Sequence, residues 1–90
     1  MKFYLDEKKV RKIIEERGKT ITSIGKHLEI SHQETYNKIQ GKNGIDIKLL
    51  NKLSVFLIAG SENILTEDSI DDLEEYRRDL EFMDTLNAQY

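Results

Sequence analysis

The residues whose types and spacing best suit a chemical task are four polar side chains on one predicted helix. His32, Gln33, Tyr36 and Asn37 recur at positions that share one side of a helix. Their imidazole, carboxamide and phenol groups can donate and accept hydrogen bonds at the edges of nucleic-acid bases. Polar residues also simply cover solvated helix faces, so the residue types alone leave both interpretations open.

The helix that carries this face belongs to a closely spaced pair. We predict a short helix over Thr20 to Leu28 and a second over Ser31 to Gln40, with only Glu29 and Ile30 between them. Such a pair must cross steeply, and Gly25 is the small residue that permits close approach. The outer face of the second helix is left free of packing. Apolar residues that anchor the pair to a core are Ile24, Leu28, Ile30 and Ile39.

The remaining apolar residues also recur at helical spacing, and the chain has no proline. We therefore predict an all-α bundle of about five helices. The first follows Asp6 and ends at Gly18, the fourth follows Asp46 and is the hub of the core, and a long fifth helix follows Thr66. The arm over residues 3–5 is either extended or an early helical turn.

Length and composition exclude several classes of protein. Ninety residues permit one compact domain, and the absence of cysteine excludes a disulfide scaffold and a zinc ribbon. The longest apolar run, Val55 to Ala59, is far shorter than the roughly 20 residues of a membrane helix. We expect a cytoplasmic protein with no signal peptide and no contact with a membrane.

Charge divides the chain into two parts. Residues 1–58 contain 12 Lys and Arg against 7 Asp and Glu, for a net charge of +5, whereas residues 59–90 contain 2 against 10, for a net charge of −8. A basic segment attracts a polyanion, whereas an acidic one faces solvent or a protein. Residues 1–58 are therefore suited to a polyanion such as DNA, and the acidic helix within residues 59–90 to dimerisation or partner binding.

The helix pair makes residues 6–58 similar to a known family. The segments Thr20 to Ser31 and His32 to Gly41 resemble the Cro and phage-repressor class of helix-turn-helix DNA-binding domains, whose fold is the lambda-repressor-like bundle. Thr20 matches the usual cap and Ile24 the usual leucine-like anchor. Gly25 stands in place of the usual alanine. Glu29 departs from the family's turn glycine, and Thr35 departs from its apolar core residue.

The resemblance implies a sequence-specific transcriptional regulator of double-stranded DNA, a repressor of phage or mobile-element type. Its second paired helix would read the major groove, with Gln33 and Asn37 as the best readers because a carboxamide matches the N7 acceptor and N6 donor of adenine. His32 and Tyr36 are weaker candidates. Residues placed near the expected phosphate path are Lys19, Thr22, Lys38 and Lys42.

The fifth helix carries one apolar seam on an otherwise charged surface. The seam consists of Leu73, Tyr76, Leu80, Met83 and Leu86. It can pack on its own domain, pair with a second copy to form a homodimer, or do both; we favour the dimer, which supplies two half-site readers. As an alternative function, the acidic helix binds a basic protein, as in an antitoxin, an anti-repressor or another interaction module. In a third, it covers the basic face in cis.

Nothing in the residue pattern indicates catalysis. His27 and His32 lack a second strong ligand at a supporting helical spacing, so no metal site is expected. Adjacent carboxylates such as Asp71 and Asp72 point away from each other on a helix and form no acid–base pair. There is no glycine-rich phosphate loop, and we predict neither an enzyme nor a cofactor.

Overall fold

A computed structural model of the chain describes residues 1–88, with side-chain surroundings given through Asp84. Within that range the secondary structure consists of five α-helices and one short 3-10 turn, which confirms the predicted small all-α bundle. The helices are α1 (Glu7–Glu16), α2 (Ile21–Leu28), α3 (His32–Ile39), α4 (Ile47–Leu57) and α5 (Glu67–Ala88), with the 3-10 turn at Ser61–Asn63.

The helices begin where the sequence supplies capping side chains. In each case a side-chain oxygen accepts a hydrogen bond from the backbone N–H three residues further along, as expected for an N-cap. The residues that do so are Asp6, Thr20, Ser31, Asp46 and Thr66. The predicted end of α1 is also confirmed, because Gly18 follows the helix with a left-handed φ of 63°.

The N-terminal arm is extended, which resolves the alternatives left open by the sequence. Phe3 exchanges two backbone hydrogen bonds with Ile45, at 2.9 and 2.7 Å. Leu5 forms a second isolated bridge with Leu65. The arm therefore joins the segments that precede α4 and α5, and both of its apolar side chains are buried.

The N-terminal arm, all five α-helices and the segment before α5 contribute side chains to one hydrophobic core. Leu50, Leu53 and Leu57 of α4 lie at its centre and are at most 1% exposed, and burial of each such side chain contributes about 1.5–3 kcal/mol. Ile64 and Leu65, from beyond residue 58, are fully buried in the same core. The division at residue 58 is therefore a change of charge and not the edge of the core.

As far as Asp84, the fifth helix packs on this core along its first half. Leu73 is buried, and the Tyr76 ring makes an edge contact with Phe3 at 6.3 Å between centroids. Further along, Leu80 and Met83 are 46% and 58% exposed. The side chain of Leu86 lies outside the described residues. None of the helices in residues 1–88 is both long and apolar enough to cross a membrane.

Candidate nucleic-acid interface

The turn between α2 and α3 is short because one residue adopts the left-handed conformation. Glu29, which stands where the family that the sequence resembles usually has glycine, adopts the left-handed conformation with φ 59° and ψ 42°. This conformation costs an L-residue about 1–2 kcal/mol. It lets the Ile30 N–H donate to the Gly25 carbonyl oxygen at 3.0 Å, which closes the end of α2 before Ser31 starts α3.

Gly25 and Thr35 are complementary partners at the crossing of the two helices. A Cβ atom added to Gly25 would lie only 2.7 Å from Thr35 Oγ1. The Thr35 side chain is 1% exposed, and its hydroxyl donates to the Ser31 carbonyl oxygen at 2.8 Å. The hydroxyl is therefore satisfied inside α3. Gly25 and Thr35 both differ from the residues usual in the family that the sequence resembles. They fit each other, because the absence of a methyl group at Gly25 leaves room for Thr35 Oγ1.

With Thr35 and Ile39 buried against α2 and the core, α3 turns its polar side outward. His32 and Gln33 are exposed, and Tyr36 and Asn37 are partly exposed. The four predicted base-reading residues therefore share one accessible face. This face lies on a helix held by buried contacts, which is the arrangement that a groove reader requires.

The two carboxamides on this face are joined to each other. Gln33 Nε2 donates to Asn37 Oδ1 at 3.1 Å, one helical turn apart. This bond leaves Gln33 Oε1 as an acceptor and Asn37 Nδ2 as a donor for an external group. The bond places the two carboxamides side by side on the exposed face, with hydrogen-bonding groups of both available to an external partner.

The predicted phosphate contacts occupy different surroundings. Lys42 and Thr22 are exposed. Lys19 is partly buried, with its ammonium 4.4 Å from the centre of the Phe56 ring, and that ring stacks on His27 at the same separation. Lys19 therefore lies at the start of α2 with its charge stabilised by an aromatic face.

The N-terminus of α2 adds backbone donors beside these side chains. Thr20 and Ser23 cap each other reciprocally, with each hydroxyl accepting from the other's backbone N–H at 3.0 Å. The cap satisfies the Ser23 N–H, and the first-turn amides of Ile21 and Thr22 have no acceptor within the helix. Such amides favour an anionic group.

Lys38 does not belong to the accessible set. Its residue is only 8% exposed, and Nζ donates to the Gly44 carbonyl oxygen at 3.0 Å. The Glu34 carboxylate lies 3.9 Å from the same ammonium. The predicted phosphate role of Lys38 is therefore replaced by a structural one: the side chain holds the loop after α3 against the helix.

Two further cations, not singled out by the sequence, border the polar face. Arg11 of α1 lies 5.9 Å from the centre of the Tyr36 ring and is oriented by a 3.0 Å contact with Glu7. Lys26 lines a shallow depression of about 290 Å³ between α2 and α3, together with Thr22 and His32. No local signal marks Arg11, because it is far from Tyr36 in the sequence.

The described residues contain no group of three or more His, Cys, Asp or Glu side chains that could hold a metal ion. Comparison of the chain with protein-family models, curated proteins and solved structures finds no match. The chemistry of the α2–α3 surface therefore carries the functional interpretation.

Proposed function

We propose that this protein is a sequence-specific regulator that binds double-stranded DNA with α3 in the major groove. The observation that carries the proposal is the hydrogen-bonded Gln33–Asn37 pair on the exposed side of a helix whose opposite side is buried. The predicted resemblance to the Cro and phage-repressor class supports the same function, as a transcriptional repressor that binds a palindromic site as a homodimer.

The pair supports recognition of adenine. Each carboxamide keeps an oxygen lone pair and an N–H after their mutual bond, so Gln33 or Asn37 can accept from the adenine N6 amine while donating to N7. Such a contact from one side chain discriminates by about 1–3 kcal/mol. His32, nearer the start of α3, and Tyr36 lie on the same face and can contact adjacent base pairs. The proposed site therefore contains adenine in each half-site.

Phosphate contacts are assigned to the groups around this face. Lys42, Lys19 and Thr22 flank α3 from the following loop and from the start of α2. Arg11 joins them at the Tyr36 side. Each cation that neutralises a phosphate releases counterions, so binding should weaken steeply as salt rises.

The experiment is selection of bound duplexes from a random pool by the full chain, followed by sequencing. We expect an enriched motif with two similar half-sites, each with adenine at a fixed position. The double variant Gln33→Ala/Asn37→Ala should lose the adenine preference while its helical circular dichroism stays unchanged.

The chain offers a matched control for that variant. Asn51 is an exposed carboxamide residue of α4, outside α2 and α3. Asn51→Ala should select the same motif as the unmodified protein. If Gln33→Ala/Asn37→Ala also selects that motif, these two side chains do not read bases and the mechanism is wrong.

A second candidate function has its own observation. The end of α5 exposes Leu80 and Met83 among acidic side chains, which suits a protein that binds a basic partner, as an antitoxin or anti-repressor would. Capture from a lysate by the full chain but not by Leu80→Glu would favour this function if selection enriches no DNA motif.

A further inference from the structure

Ile58, the residue that ends α4, contributes little to the fold of its own chain. It is 72% exposed and adopts φ 52° and ψ 52°. A β-branched side chain disfavours this left-handed conformation, for which glycine is the usual choice at a helix end. An exposed, strained isoleucine therefore needs an explanation outside the monomer.

Arg17, the residue that follows α1, stabilises the conformation of Ile58. Its guanidinium donates to the carbonyl oxygens of Leu57 and Ile58 at 3.1 and 3.2 Å. Val55, one turn earlier on α4, is 76% exposed. Val55 and Ile58 thus form an apolar patch, which we name the α4 patch, at the end of a firmly positioned helix.

The positive charge beside the α4 patch lies on α4 itself. Lys52, one turn before Val55, and Lys48 are exposed, and α4 contains no acidic residue. Ile58 also borders a groove of about 420 Å³ where Lys12 and Arg17 face Glu16 and Glu62, and where Lys9 is ion-paired with Glu67 at 3.4 Å. The patch therefore combines exposed apolar area with a basic helix on one side and balanced charges on the other.

The same chain carries a surface of complementary character. The face of α5 that packs on the core through Leu73 continues past the globule as Leu80 and Met83. Residues 71–84 contain seven Asp and Glu against two Arg, for a net charge of −5. The described chain extends over 47 × 24 × 22 Å, which is consistent with a projecting helix end.

Pairing of α5 with another α5 would place two acidic segments side by side. Contact between α5 and the basic α4 patch removes this repulsion and covers both sets of exposed apolar side chains. A two-fold arrangement makes the contact twice, because each copy supplies one helix end and one patch.

We propose that the chain dimerises reciprocally, with Leu80 and Met83 of each copy seated on Val55 and Ile58 of the other. This assignment rests on the homodimer in the proposed function. Its test contains no DNA, so the dimer contact and DNA binding can be refuted independently. The dimer would carry two copies of α3.

The first test is sedimentation equilibrium of the full chain over a concentration series, with Ile58→Gly as the variant. Each buried isoleucine is worth about tenfold in affinity, so losing two per dimer should weaken self-association about a hundredfold or more. At protein concentrations where the wild type is monomeric, the same variant should unfold at a higher denaturant concentration, because glycine relieves the strain of φ 52°. An unchanged dimer, or a wild-type chain that stays monomeric throughout the series, would overturn the proposal.

The second test mixes two variants. Ile58→Glu should abolish the patch and Leu80→Glu the helix end, leaving each chain monomeric where the wild type is dimeric. Asn43→Glu adds the same charge at another exposed position and should dimerise normally. Mixing the two defective chains leaves one intact contact, and a heterodimer weaker than wild type should form. A dimeric Ile58→Glu chain, or a mixture no more associated than its components, would show that α5 binds elsewhere.

Discussion

Replacing Gly25 with alanine tests how closely α3 is held against α2. In an open helical position this change stabilises a protein by about 0.5–1 kcal/mol, because glycine loses more backbone entropy on folding. Here the added Cβ would lie 2.7 Å from Thr35 Oγ1 and 3.3 Å from the Ile30 carbonyl oxygen. Overpacking of this kind costs about 1–3 kcal/mol. We expect a net loss of about 0.5–2 kcal/mol in the free energy of unfolding.

The tighter of the two contacts can be removed by changing Thr35, which leaves the 3.3 Å approach to the Ile30 carbonyl oxygen. Thr35→Ala alone should cost about 1–2 kcal/mol, because it removes the hydrogen bond to Ser31 and a buried methyl group. In the double variant the contact with Thr35 Oγ1 is gone, and the Thr35 Cβ atom at 3.7 Å makes an ordinary contact. The double variant should therefore be more stable than the sum of the two single effects by about 1–3 kcal/mol.

The measurement is urea unfolding of the four proteins, followed by far-ultraviolet circular dichroism. Protein concentration must be fixed, because self-association would add to the apparent stability. The midpoints should shift without a change in slope. A Gly25→Ala variant more stable than wild type, or single effects that add to within about 0.5 kcal/mol, would refute the close contact between Gly25 and Thr35.

Three further predictions follow from the geometry. Glu29→Gly should raise the free energy of unfolding by about 1 kcal/mol because φ is 59°; an unmoved urea midpoint would mean that the turn carries no strain. Lys38→Ala should lower stability by about 1.5–3 kcal/mol through loss of a buried charged hydrogen bond, whereas Lys42→Ala should leave stability unchanged and reduce the salt slope of DNA binding by about one phosphate. A loss of stability in Lys42→Ala together with a reduced salt slope in Lys38→Ala would mean that Lys42 is the structural residue and Lys38 the phosphate contact. Ser69→Ala should cost about 0.5–1.5 kcal/mol, since its oxygen accepts from the Tyr4 N–H at 2.7 Å and that hydrogen bond would be lost; a wild-type melting curve would contradict this.

Most helix boundaries could be predicted from the sequence because their signals are local. Asp6 and Asp46 cap helices through side chains only three residues from the amides that they bind. The apolar spacing of α4 likewise specifies which of its sides is buried. The extended arm could not be predicted, because Phe3 pairs with a residue more than forty positions away.

The candidate site was predictable in outline but not in detail. Helical spacing places Gln33 and Asn37 on one face, yet it contains no information about whether Lys38, one position further, points inward to a loop carbonyl. The proximity of Arg11 to Tyr36 depends on how α1 packs. Helical spacing also places Leu73 and Leu80 on one side of α5. Leu73 is buried and Leu80 exposed because the other helices reach the first and not the second, which the spacing does not predict.

The central claim, sequence-specific DNA binding by α3, is tested most directly by fluorescence anisotropy. The full chain is titrated against a duplex obtained by selection, with excess nonspecific competitor, at several salt concentrations. We predict competitor-resistant binding whose logarithm of affinity falls linearly with the logarithm of salt concentration, by about 0.9 per phosphate neutralised. Failure of selection to yield a bound duplex, or binding that the competitor abolishes, would contradict the proposed function.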